Sequence, residues 1–80
     1  FNPTTTIAFT LPEASNVRIE VFNVLGERVR SLTNARYNTG YWTVIWDGKN
    51  SAGMSVQSGT YFYRMITDMG VQVKNMMLLK

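Results

Sequence analysis

Two residue types are missing altogether: the 80-residue sequence has no cysteine and no histidine. Without cysteine there is neither a disulfide nor a thiolate metal site. Without histidine, the commonest general base, the commonest metal ligand and the usual switch near neutral pH are gone together. Carboxylates are few, namely Glu13, Glu20, Glu27, Asp47 and Asp68. Most fall at turns or on a solvent face, so the pair needed for glycoside hydrolysis is not assembled. No Ser–Lys pair flanks a plausible nucleophile elbow. The sequence argues against an enzyme and calls for no cofactor.

Long apolar runs are also absent, none approaching the roughly 20 residues that span a bilayer. Membrane insertion is not expected. The eight cations give a net charge of +3 but are scattered, with only Arg28 and Arg30 close together. A nucleic-acid reader gathers its cations into a patch with stacking aromatics, so nucleic acid is not expected as a partner. The sequence starts on Phe1 rather than Met and is expected to be a piece of a longer polypeptide, so a removed signal peptide would not show. Its length allows one core, and residues 1–80 are read as one domain.

What is present is 45% hydrophobic residues, 12% aromatics and a period of two, the mark of half-buried strands. Residues 4–11 alternate Ile7, Phe9 and Leu11 against threonines and Ala8, and Pro12 ends that strand. In residues 16–24, Val17, Ile19 and Val21 oppose Arg18 and Glu20. Leu25, Val29 and Leu32 are spaced by four and three, as in a helix. A two-turn helix is marginal alone, however, and Gly26 suits a hairpin turn. The turn chemistry favours a hairpin with a short return strand through Val29 and Leu32. After the turn Asn38-Thr39-Gly40, residues 41–46 place Trp42, Val44 and Trp46 on one face. Residues 54–56 form a short edge strand. Residues 60–67 carry substantial side chains on both faces and read as a central strand. The turn Asp68-Met69-Gly70 leads into a last strand over 71–79. The expected fold is all-β, a seven-stranded immunoglobulin- or fibronectin-like sandwich.

The polar loop 47–53 invites a calcium test, with oxygens from Asp47, Asn50 and Ser51. One carboxylate beside Lys49 is too few, and no metal is expected. The turn reading is stronger: Asp47 accepts backbone N–H groups, and Gly48 and Gly53 take positive φ, with Gly59 at the next turn. Tyr37 and Tyr41 flank a turn and are available to a sugar, which keeps an accessory carbohydrate-binding or spacer module open. The last strand is unusual. Met76-Met77-Leu78-Leu79 is apolar on both faces, and an outward pair such as Met76 and Leu78 calls for a partner.

Several stretches together resemble the C-terminal sorting domains of type IX secretion cargo. They are Phe1-Asn2-Pro3-Thr4-Thr5-Thr6-Ile7, Val21-Phe22-Asn23-Val24-Leu25-Gly26-Glu27-Arg28-Val29, Trp46-Asp47-Gly48, Ser58-Gly59-Thr60-Tyr61-Phe62-Tyr63-Arg64 and Lys74-Asn75-Met76-Met77-Leu78-Leu79-Lys80. The pattern shades into the immunoglobulin-like domain of flagellar hook-capping proteins. The resemblance implies a domain at the C-terminus of an exported bacterial protein, behind a cargo domain in the same chain. It implies recognition by the outer-membrane translocation machinery, removal by a surface protease, and delivery through the periplasm to the outer surface or beyond. By position, Lys74, Met76, Met77, Leu78, Leu79 and Lys80 match the closing motif and are the expected recognition residues. Asn75 stands where relatives often carry a second basic residue. A structural subunit of an extracellular assembly, joined through an open edge strand, is a further reading.

Overall fold

The computed structural model describes residues 4–79, which form β1 (Thr5–Leu11), β2 (Ser15–Phe22), β3 (Arg28–Tyr37), β4 (Gly40–Trp46), β5 (Gly59–Thr67) and β6 (Gly70–Leu78). The opening of the first motif, Phe1 to Pro3, and the terminal Lys80 lie outside the described residues. Two antiparallel sheets face each other, one of order β1-β4 and one of order β3-β2-β5-β6. As its two full faces suggested, β5 is central.

Six strands replace the seven expected among the described residues. Residues 54–56 contribute only an isolated bridge between Lys49 and Ser55. The loop has bent its donors inward instead: Asn50 Oδ1 accepts the amides of Ala52 and Met54 at 3.0 and 3.1 Å. The return strand β3 is ten residues long rather than short. Its pairing with β2 shifts register twice, so that Ser31 and Thr33 bracket one extra residue, Leu32, and Arg28 and Arg30 bracket Val29. Both extra residues pack against the core. Such bulges reset the two-residue alternation, and here they produce the spacing that resembled a helix.

Alternation fills the space between the sheets. Ile7, Phe9 and Leu11 of β1 meet Val17 and Ile19 of β2, while Val21, Trp46, Tyr61 and Leu78 form a second buried cluster. Trp46 is fully buried, meets the Tyr61 ring edge-on at 5.0 Å, and donates its indole N–H to the Lys49 carbonyl at 3.0 Å. The Tyr61 hydroxyl donates to the Gln57 carbonyl at 2.6 Å. A tyrosine near the start of a strand, bonded back to the chain a few residues upstream, is the tyrosine corner of immunoglobulin-like sandwiches. With no disulfide, these aromatic contacts help to hold the layers together.

The β2–β3 turn is built on Asn23, whose Oδ1 accepts the Leu25 and Glu27 amides, both at 3.0 Å. Gly26 closes it at φ +82, where an L side chain would be strained. At the other end, buried Ser15 accepts the Asp68 amide at 3.0 Å and ties β2 to the β5–β6 turn.

Candidate functional site

β6 is an edge strand whose even-numbered residues turn toward the other sheet, so the terminal motif divides unevenly. Leu78 is 1% exposed and belongs to the core, and Met76 is half-buried against both clusters. The expected outward pair of Met76 and Leu78 is therefore corrected. The outward residues are the odd-numbered ones, Val71, Val73 and Met77, each about three-fifths exposed, with exposed Leu79 beyond the strand end. An apolar run on both parities carries no phase of its own; only pairing of Leu78 with Gly59 and its contact with Trp46 set it. Lys74 is exposed opposite Tyr63 and lies beside Ala8 and Tyr41 at the mouth between the sheets.

In the 47–53 loop, Asp47 Oδ1 accepts the Lys49 amide at 3.1 Å and the Arg30 guanidinium at 2.8 Å. Partial burial pushes the Asp47 carboxyl up, but the Lys49 amide and Arg30 outweigh it and hold the group below its ordinary range. Gly48 and Gly53 stand at φ +75 and +80, and Gly59 at +151. No cluster of metal-binding side chains occurs among the described residues. Tyr37, expected at the surface, is half-buried. Its ring meets Phe9 and Trp42 edge-on at 5.5 and 5.1 Å, and its hydroxyl bonds Thr33 at 2.8 Å. The length of β3 carries Tyr37 over the β1–β4 sheet. Tyr41 stands exposed without it.

The outer face of the four-stranded sheet holds a group that sequence reading missed. Because Val17, Ile19 and Val21 face inward, Arg18, Glu20 and Phe22 face outward, and register sets Glu20 beside Arg64 and Phe22 beside Phe62. Glu20 is 6% exposed although it lies on an outer face, because three arginines cover it. Arg64 donates at 2.9 Å, Arg28 at 3.1 Å, and Arg18 lies at 3.7 Å. The Arg64 hydrogen bond, opposed by burial and assisted by Arg28 and Arg18, holds the Glu20 carboxyl below its ordinary range. Arg64 also lies over the Phe22 ring at 5.0 Å, a cation–π contact. Phe22, Phe62, Val73 and Val24 border a shallow groove at its side. Outward alternation in residues 16–24 and 60–67 was legible, but the meeting of the two rows depended on register.

The sandwich, the tyrosine corner and the absence of helix among the described residues define an immunoglobulin-like β domain whose distinctive surface is one sheet face and its β6 edge. The FlgD Ig-like domain family model matches residues 1–70. The chain belongs to that family. Among solved structures it is similar to the crystal structure of FlgD from P. aeruginosa, at 27% identity and a TM-score of 0.73. That match covers 94% of this chain but 59% of the FlgD chain, so this chain spans about three-fifths of its length. No curated protein matches the sequence.

Proposed function

We propose that this domain is a non-catalytic sorting and anchoring module that takes a secreted cargo through the type IX translocon to the bacterial outer surface. In this reading the outer-membrane machinery recognises β6, a surface protease removes the domain, and the preceding part of the same polypeptide is the cargo. The observation that carries it is β6 itself: one neighbour only, and an apolar stripe of Val71, Val73 and Met77 turned to solvent. An unpaired edge with alternate side chains on offer suits recognition by strand addition.

Deleting residues 74–80 would remove core Leu78 and confound delivery with unfolding. The suitable test fuses the domain to a periplasmic reporter in a bacterium with type IX secretion and introduces Val71→Lys with Met77→Lys. Both sites are exposed, so the thermal transition is expected to persist while surface delivery is lost. Delivery at the unmodified level from the doubly substituted, folded domain would overturn the reading.

The likeness to FlgD favours a second reading, a structural subunit of an extracellular assembly. It differs in requiring assembly partners and no removal of the domain. In the carbohydrate-binding alternative Tyr41 is the exposed tyrosine, while Tyr37 is half-buried against Phe9 and Trp42.

A further inference from the structure

Three arginines converge on one carboxylate, leaving the Arg18, Arg28, Arg64 and Glu20 group with two positive charges in excess. Its donors are not used up. Arg28 engages Glu20 through one terminal nitrogen, and its side chain is 61% exposed. Arg64 engages Glu20 through Nη2 and its side chain as a whole is 41% exposed, while its Nε, buried without an acceptor, lies out of a ligand's reach. A guanidinium satisfied on one side and open on the other is prepared for a second anion.

The surroundings limit what that anion belongs to. Along β5 the outward residues run Phe62, Arg64, Ile66, and β6 lays Asn75, Val73 and Val71 directly beside them. The face therefore reads apolar, cationic, apolar at alternate positions. Outward neighbours on a strand are about 7 Å apart, since each residue rises roughly 3.3–3.4 Å. An extended peptide has the same spacing between its own alternate side chains. A small ion would satisfy Arg64 and leave the aromatic groove beside Phe22 and Phe62 empty. A nucleic-acid strand would bring phosphates throughout, whereas only the middle of this face is cationic and Phe62, Ile66, Val71 and Val73 flank it.

We infer that the outer face of the four-stranded sheet binds an extended acidic peptide segment of the pattern apolar–x–Asp/Glu–x–apolar. Its carboxylate meets Arg64 and Arg28, one apolar side chain fills the groove between Phe22, Phe62 and Val73, and the other lies over Ile66. The site shares Val71 and Val73 with the exposed stripe of β6, but it is centred on Arg64 and Arg28 and does not depend on the sorting reading.

The test titrates the ¹⁵N-labelled chain with a capped peptide containing Leu-Ser-Asp-Ser-Leu. Controls place Lys or Ser at the central position. The Asp peptide is expected to shift the amides of Phe22, Phe62, Arg64 and Val73, and to bind at least about tenfold more tightly than either control, a difference equivalent to about 1.4 kcal/mol. Raising salt from 50 to 300 mM is expected to weaken it several-fold. Arg64→Gln and Arg28→Gln should each weaken binding about tenfold. Phe62→Thr should weaken binding of the Asp peptide several-fold by removing one wall of the groove, and thermal melts establish that each variant is folded. Equal binding of the Asp and Ser peptides, shifts confined to β1 and β4, or no shift at millimolar peptide would overturn the inference. So would Arg64-dependent binding of phosphatidylglycerol vesicles or inorganic sulfate in place of the peptide.

Discussion

Glu20 is the residue whose environment departs furthest from its position in the fold, a carboxylate on an outer face yet almost wholly covered. Its folded pKa lies below the ordinary value of 4.5. In acid, below that value, the unfolded chain binds the proton first, so folding stability falls as pH drops through the lowered folded pKa. Above 4.5 the contribution is fully present. Glu20→Gln is expected to destabilise the domain at pH 7 by about 1–3 kcal/mol, the scale of losing charge-assisted hydrogen bonds. Denaturant midpoints measured from pH 7 to pH 3 should fall less for the variant than for the unmodified chain. Tyr61→Phe removes a single hydroxyl from the corner and should cost about 1 kcal/mol by the same measurement, with the fold intact. That Tyr61 shares a face with Tyr63 and Met65 was legible in the alternation. Its bond to Gln57 was not, because the intervening Ser58-Gly59 turn decides whether the hydroxyl reaches back.

At the scale of elements, strands announced themselves wherever one face was apolar and the other polar, as in β1 and β2. Legibility failed where both parities were apolar or the period broke. β6 is the first case, and its phase came from Trp46 and Gly59 on other strands. β3 is the second, since Val29 and Leu32 sit at bulges that a strict alternation misreads. A bulge pays its way through packing, so Leu32→Ala is expected to cost more than Ser31→Ala, by about 2 kcal/mol or more in denaturant unfolding. The turn feeding β3 has a different sensitivity. A Cβ at Gly26 would meet nothing within 4 Å, yet its φ is +82. Gly26→Ala should therefore lose about 1–2 kcal/mol through backbone strain alone, with chemical-shift changes confined to residues 23–28.

For the whole molecule, no disulfide joins the two sheets, and stability rests on a small core. A domain of this size has about 4–12 kcal/mol in hand, and replacing a buried tryptophan by alanine removes about 3–5. Trp46→Ala is expected to leave the chain largely unfolded at 37 °C, read as loss of the near-ultraviolet circular dichroism signal. The fold class and its layers were legible because alternation and turn residues agree along most of the chain. The sheet face with Glu20 was not, because it joins positions 20, 28 and 64, which only tertiary pairing brings together. The same pairings have a mechanical consequence. Thr5 at the start of β1 lies opposite Trp46, and Trp46 packs in the same cluster as Leu78 at the end of β6. A load applied at Thr5 and Leu78 thus enters at one end of the sandwich and peels each outer strand from its neighbour one rung at a time. The domain should yield as a zip rather than as a sheared sheet, opening under gentle pulling.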